Sequence, residues 1–334
     1  MKVLVIGGTG LISTAIVNHL IEKKFETIVY NRGARAVRYD STRVTEVHGD
    51  RHNYAAFASQ MAELKPDAVI DMITFDPETA LHAVEVFSGK VTHYLFTSTV
   101  CVYGGPVTRI PTLEDEPHKP TGEYGRNKSA AEKIFMHAHA KNGFPVTMFR
   151  PSHCYGEGAP LLDIWGYSGA LISRLREGKP VIVPGDGHGL WQPGHVADMA
   201  KGFVGALGRD VTKGKAYNIV GDEVMTWSEF HQRAARVLGA EANLVPMTTT
   251  EILAGAPADK NWMLDEIFQY HASYSSAALK ADVPEYTDLL TFEEGVKRTV
   301  AWADANGAVE PSNAQAWVDE MVAKRMDYLG SLKQ

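Results

Sequence analysis

Cysteine is scarce: Cys101 and Cys154 are the only two in 334 residues. Neither sits in a metal-like or redox spacing, so a disulfide framework is excluded and a reduced, cytoplasmic setting is expected. Positive charge is not in excess. Lysine and arginine total 33 against 40 aspartate and glutamate, a net charge of −7, so the overall balance does not favour a polyanionic partner. Long apolar runs are also missing. No stretch is long enough to span a bilayer, and Met1–Ile6 is too short for a signal peptide. There are no internal repeats and no low-complexity linker. His137 and His139 lie two apart on an expected helix and face different ways, so they read as surface residues and no metal site is expected.

What is present is concentrated at the amino terminus. Lys2–Ile6 is a β-branched run that ends in Gly7-Gly8-Thr9-Gly10, and a helical pattern follows at once, with Leu11, Ala15, Ile16 and Leu20 on one face. A second apolar strand, Thr27–Tyr30, closes a strand–helix–strand unit. A tight glycine turn before a helix N-terminus suits a dinucleotide pyrophosphate, because helix-end N–H groups face the ligand and glycine permits close approach. Ser13 stands where the usual fingerprint has a third glycine, and its small size substitutes at modest cost in packing. The second strand ends in Asn31 and Arg32, with Arg35 behind, rather than in the acidic residue that would hold a ribose 2′-OH. An arginine there binds a 2′-phosphate, so NADP is expected over NAD, which stays as the alternative.

Strands and helices then alternate. Val44–His48, Ala68–Ile73 and His93–Thr97 read as strands, and Tyr54–Leu64 and Ala80–Phe87 as helices. The pattern indicates a doubly wound parallel sheet, an α/β fold with a smaller carboxyl-terminal substrate-binding part. Residues 1–150 are expected to bind the nucleotide, with parts of 195–220 completing the sheet and 151–334 mainly serving the substrate. Chain length allows one large domain or two that share a cleft. Ligands in such sheets gather at the carboxyl ends of strands, where Gly7–Gly10, Asp50, Met72–Thr74 and Ser98–Thr99 all fall. Asp50 stands where an adenine amino group could be met, although a plain turn aspartate would look the same.

A second stretch carries the chemistry. Tyr124-Gly125-Arg126-Asn127-Lys128 opens an expected helix, Tyr124–Ala140, and the i, i+4 spacing puts Tyr124 and Lys128 on one face. A phenol is a poor base at neutral pH. A nearby ammonium, with an oxidised nicotinamide, would lower its pKa and let Tyr124 exchange a proton while the nicotinamide exchanges a hydride. Thr99 supplies a hydroxyl to the same substrate oxygen. Such a pair alone is an ordinary helix surface; its weight comes from the glycine turn and the strand-end hydroxyl 25 residues upstream.

These motifs resemble the extended short-chain dehydrogenase/reductase family, the NAD(P)-dependent epimerases and dehydratases. GGTG at Gly7–Gly10, GD at Gly49–Asp50, TSTVCVYG at Thr97–Gly104, YGRNK at Tyr124–Lys128, FRPSHCYG at Phe149–Gly156, PGDG at Pro184–Gly187 and HVAD at His195–Asp198 stand in family order. The resemblance implies Thr99, Tyr124 and Lys128 as the catalytic set. It implies a cofactor site from Gly7, Thr9, Gly10, Leu11, Ile12, Asn31, Arg32, Asp50, Arg51, Met72, Thr97, Tyr124, Lys128, Pro151 and Ser152, with Arg150–Ser152 near the nicotinamide end. It also implies a homodimer paired through two helices per subunit.

Departures from the pattern bear on the substrate. Val100 and Cys101 replace the Asp-Glu pair of 4,6-dehydratases, so sugar dehydration is not expected. His153 stands in place of an asparagine, and Trp191 in place of an arginine that grips a diphosphate, which removes a bidentate clamp. Arg174 or Arg176 would have to do that work instead. Cys101, His153, His188 and Trp191 are the candidate substrate contacts, although Cys101 also reads as a buried, inert thiol. The expected activity is hydride exchange with a secondary alcohol or ketone of a sugar-like small molecule. The rival is a non-catalytic NADP- or RNA-binding member of the fold, as chloroplast stem-loop binding proteins are; the acidic charge and the complete Thr-Tyr-Lys set make nucleic acid the less favoured partner.

Overall fold

A computed structural model describes residues 1–332. The chain divides into two compact units: Met1–Cys154 with Val196–Val220 and Tyr274–Leu289, and Tyr155–His195 with Gly221–Ser273 and Leu290 onward. The returning segment Tyr274–Leu289 therefore belongs with the amino-terminal part, whereas the sequence boundary leaves it in the carboxyl-terminal region.

The first unit is built on a seven-stranded sheet. Its strands are β1 (Lys2–Ile6), β2 (Glu26–Asn31), β3 (Thr45–His48), β4 (Ala68–Asp71), β5 (His93–Thr97), β6 (Val146–Pro151) and β7 (Lys215–Ile219). They lie in the order β7-β6-β5-β4-β1-β2-β3, and every pairing is parallel. All carboxyl ends therefore share one edge. The helices are α1 (Leu11–Glu22), α2 (Tyr54–Leu64), α3 (Pro77–Phe87), α4 (Glu123–Asn142), α5 (Val196–Ala206) and α6 (Ala277–Asp282). Period-two alternation sends β1 side chains both ways. Val3 and Val5 pack with Ile16, Leu20 and Phe203, while Leu4 and Ile6 pack with Phe57, Phe87 and Phe135. Both sheet faces are covered, which explains the unbroken apolar runs in the sequence.

Local chemistry sets the helix starts. The Asp76 carboxylate accepts the Thr79 N–H at 2.7 Å, and Pro77 opens α3. α4 starts so close to the preceding turn that a Cβ on Gly125 would lie 2.5 Å from the Cys101 carbonyl. Glycine here lets the helix carrying Tyr124 press against the loop carrying Thr99.

The second unit has its own core. Trp191, Trp227, Phe230 and Phe268 cluster with Phe292, Val296 and Leu264. Strands Pro180–Pro184 and Asn243–Met247 pair in parallel. Thr226, Thr248 and Thr291 each cap a helix, with a glutamate three residues later closing a capping box. Leu190–Trp191 is a short strand paired antiparallel with Met225–Thr226.

Candidate active site

The glycine turn leaves β1 with Gly7 at φ +87°, its N–H donating to the Tyr30 carbonyl at 2.9 Å. A Cβ on Gly7 would lie 2.4 Å from Ile73 Cγ2, so no larger residue fits. Gly10 caps α1, its N–H donating to Ser13 Oγ at 2.8 Å and its carbonyl accepting from Thr14 Oγ1 at 2.7 Å. Ser13 is thus more than a small packing residue: its hydroxyl ties the turn. Thr9, Leu11 and Ile12 sit in the turn and first helical residues, whose N–H groups have no intrahelical acceptor.

At the end of β2, Asn31 Oδ1 accepts the Gly33 N–H at 2.6 Å, while Asn31 Nδ2 is buried with no hydrogen-bond partner in the chain. Arg32 and Arg35 are exposed. Arg38, which the motif reading did not single out, is the arginine brought to the turn, with Nη2 3.2 Å from the Gly10 carbonyl and 3.3 Å from Thr14 Oγ1. Burial, and then repulsion from Arg35, hold its pKa below the ordinary value, so the two guanidiniums share one neighbourhood. Its contacts span 24 and 28 residues, and no local spacing signals them. Asp50 is exposed and accepts the His52 N–H at 3.0 Å, as a turn aspartate does.

Arg51 departs from its expected place as a cofactor contact. It is 3 % exposed and its Nη1 reaches both Asp71 carboxylate oxygens, at 2.8 and 2.7 Å. Asp71 is fully buried and also accepts from the Ile73 and Thr74 N–H groups, from Thr74 Oγ1 at 2.7 Å and from the Tyr94 hydroxyl at 2.5 Å. Arg51 Nη2 is nevertheless buried without a partner. The residue is primarily half of a buried ion pair, with one donor left over.

Tyr124, Lys128 and Thr99 come together at the carboxyl edge of the sheet. Lys128 is 1 % exposed, and its ammonium donates to the Thr74 carbonyl at 2.8 Å and the Thr97 carbonyl at 2.7 Å. Burial pushes its pKa down to about 7, against the pull of Asp71. Thr99 Oγ1 accepts the Cys101 N–H at 3.2 Å and makes a hydrogen bond with the Tyr124 phenol. Although 39 % of Tyr124 is exposed, desolvation around its hydroxyl and the nearby Cys101 raise the phenol's pKa above its ordinary value, and the Thr99 bond offsets this only in part. The expected lowering by Lys128 is not seen in the chain alone. The ammonium lies 5.8 Å from the Tyr124 ring centroid, is spent on two carbonyls, and is itself weakened by burial.

Thr97 donates from its hydroxyl to Met72 Sδ at 3.0 Å, which fixes both residues at adjoining strand ends. Pro151 ends β6, and the Ser152 N–H donates to the Ile219 carbonyl at 3.4 Å. Arg150 is not available to a nicotinamide. Its guanidinium is buried among Glu132 (2.9 and 2.6 Å), the Tyr103 hydroxyl (2.8 Å), the Glu114 carbonyl (2.9 Å) and His118 (3.0 Å). Glu132 also accepts from Ser98 Oγ at 2.5 Å, so this network ties the residue before Thr99 to the helix of Tyr124 and Lys128.

The substrate candidates separate. Cys101 is partly exposed rather than buried and stands close enough to Tyr124 to raise the phenol's pKa. His153 is held neutral, burial pushing its pKa down to about 3. His188 is exposed beside Asp186. Trp191 does not face a ligand. It is 1 % exposed, with ring centroids 4.0 Å from Trp227 and 5.1 Å from Phe268, in the core of the second unit. Packing against Trp227 and Phe268, not the missing arginine, determines its place. Arg174 is buried against the Pro180 carbonyl and Asp319, and Arg176 pairs with Asp304, so neither is left for a diphosphate. Among the described residues no cluster of three or more histidine, cysteine, aspartate or glutamate side chains is placed to hold a metal, and no helix is long and apolar enough to cross a membrane.

A parallel sheet with a glycine turn on its first strand, and a Tyr-Lys-Thr group at the same edge, defines a doubly wound fold of the nucleotide-binding kind. Residues 3–220 match the NAD dependent epimerase/dehydratase family, and the chain belongs to it. Among curated relatives, 2′-dehydrokanamycin reductase of Streptomyces kanamyceticus is 25% identical over 97% of this chain and 90% of its own length. A dTDP-glucose 4,6-dehydratase of an Actinoplanes strain is 25% identical over 92% of this chain and 98% of its own. The UDP-glucose 4-epimerase of Thermotoga maritima, solved with UDP-glucose, superposes with a TM-score of 0.73 at 20% identity, covering 91% of this chain and 99% of the other.

Proposed function

We propose that the chain is an NADP-linked oxidoreductase or epimerase that exchanges hydride with a secondary alcohol or ketone of a sugar-like molecule. The observation that carries this is the meeting of Thr99, Tyr124 and Lys128 at the edge where the glycine turn also lies. Two buried donors without partners, Asn31 Nδ2 and Arg51 Nη2, stand at the ends of β2 and β3 and fit a ligand rich in oxygen acceptors. A nicotinamide cofactor, when bound, supplies or accepts the hydride. Gly7, Gly10 and the first turn of α1 would cradle its pyrophosphate, and Asn31 with the arginines would hold the adenosine end.

The chain's own residues handle the proton. With its pKa raised, the Tyr124 phenol is protonated at neutral pH and donates to a substrate carbonyl oxygen in the reductive direction. Thr99 hydrogen-bonds the phenol and orients it, and Lys128, whose Nζ lies 5.8 Å from the ring centroid, brings a positive charge close by below about pH 7. Val100 and Cys101 offer no carboxylic acid–base pair for removing water, which supports a reading without dehydration although a dehydratase is among the relatives. The test is absorbance at the reduced-nicotinamide band across a panel of sugars and ketones. Tyr124→Phe should lower turnover by about 10²–10⁴-fold; parental turnover in that variant would overturn the assignment.

The preference for NADP rests on Arg32, Arg35 and Arg38 and on the absence of an acidic residue closing β2. Solved neighbours include proteins crystallised with NAD, so the comparison of the two cofactors decides. NADPH should bind at least about tenfold more tightly than NADH, and Arg38→Ser should remove most of that margin; equal binding by the parent would refute it. Pairing into a homodimer is supported by Leu81 (59 % exposed) on α3 and Met136 (36 % exposed) on α4. A monomer mass by light scattering would dispose of it.

A further inference from the structure

We propose that Phe75 is a positioning residue whose half-exposed ring closes an aromatic collar over the Lys128 ammonium and keeps water from it. The inference rests on the reading that Lys128 serves the reaction. Phe75 leaves half its surface in solvent, and it follows directly on Thr74, whose carbonyl accepts a Lys128 hydrogen bond. Its ring centroid lies 4.6 Å from Lys128 Nζ, with Phe96 at 5.1 Å and Tyr124 at 5.8 Å. These distances suit cation–π contact. Three rings thus surround one ammonium, while two of its three donors go to carbonyls.

The rings have different freedoms. Phe96 is fully buried in the sheet core, and Tyr124 is assigned to proton transfer. Only Phe75 can change without touching either. Its segment is pinned below, where Asp71 accepts the Ile73 and Thr74 N–H groups, so the ring is carried on a fixed turn. Lys128 is 1 % exposed although it stands at a sheet edge, and Phe75 is the nearest of the three rings to its ammonium. The charged groups acting on the ammonium are Asp71, Arg51, Glu132 and Asp76, and burial outweighs them, leaving Lys128 with a pKa of about 7. Removing the lid has two opposed effects. Lost cation–π attraction lowers the pKa, whereas readmitted water raises it. Burial is the largest influence on this group, so the second effect wins.

The test follows the reaction of Lys128 with acetic anhydride across pH, read by peptide mass spectrometry on the full chain. In the parent, Lys128 should react slowly, with a midpoint near neutrality. In Phe75→Ala its limiting rate, reached above the midpoint where the amine is neutral, should rise at least about fivefold and its midpoint move up by about one unit or more, while Phe75→Tyr should behave as the parent. Should the alanine variant fail to fold, Phe75→Leu, which keeps apolar bulk but no ring face, carries the same readout with a smaller rise. An unchanged rate and midpoint in the folded variant would overturn the proposal, as would a downward shift. This labelling does not depend on turnover. If Tyr124→Phe keeps parental activity while the Lys128 midpoint still moves with Phe75, the enzymatic reading fails and the collar stands.

Discussion

Removing the charge of Asp71 tests how the candidate site is supported. In Asp71→Asn the Arg51 guanidinium keeps its burial but loses its counter-charge. Breaking a buried pair in this way costs about 3–5 kcal/mol, because the remaining charge is left uncompensated. The amide would also turn a donor toward some of the Ile73, Thr74, Arg51 and Tyr94 donors that now converge on the carboxylate. For a unit of this size the midpoint of thermal unfolding should fall by roughly 6–20 °C. Arg51→Met should cost less, since Asp71 keeps its remaining donors. The assay is far-UV circular dichroism against temperature and urea, with the double variant completing the cycle. A loss below about 1 kcal/mol in Asp71→Asn, or an equal loss in Arg51→Met, would refute the reasoning. The pH sign follows from the same contacts. Burial alone would raise the Asp71 pKa, but Arg51, Tyr94 and Thr74 overturn this and hold it below the ordinary carboxylate value. Its contribution is therefore fully present above the unfolded pKa, and is lost only as pH falls through the lower folded value.

Other expectations concern the core. Trp191→Ala should destabilise the second unit by about 3–5 kcal/mol through the cavity left beside Trp227 and Phe268; a stable variant with altered substrate choice would instead restore Trp191 as a ligand contact. His93 is buried, its Nε2 2.8 Å from Thr147 Oγ1 and its Nδ1 accepting the Gly208 N–H, and burial lowers its pKa to about 4. The unfolded chain binds this proton first, so stability holds above about pH 6.5 and declines toward pH 4, by roughly 3 kcal/mol in all. His93→Gln should flatten that part of the urea-midpoint profile, and an unchanged slope would remove His93 from the account.

The doubly wound parallel sheet was legible because alternation of apolar runs with amphipathic helices leaves few other arrangements. The glycine turn and the Tyr124–Lys128 spacing were legible for a related reason: each is local, and one turn of backbone fixes it. Arg51 and Arg38 were not. Arg51 follows a glycine–aspartate turn that reads as a ligand edge, yet Asp71, twenty residues on, claims it; Arg38 meets Gly10 across 28 residues. Trp191 stands where an arginine would grip a diphosphate and so reads as a substrate contact, and only packing against Trp227 and Phe268 makes it core.

Sequence by itself determined the doubly wound sheet, the turn at Gly7–Gly10 and the placing of Tyr124 and Lys128 on one helix turn, since these follow from backbone periodicity and from residue chemistry at short range. Tertiary structure alone decided the protonation of Tyr124 and Lys128 and the fate of the buried arginines. A pKa depends on how much water and which charges surround a group, and those neighbours are brought from distant parts of the chain by folding.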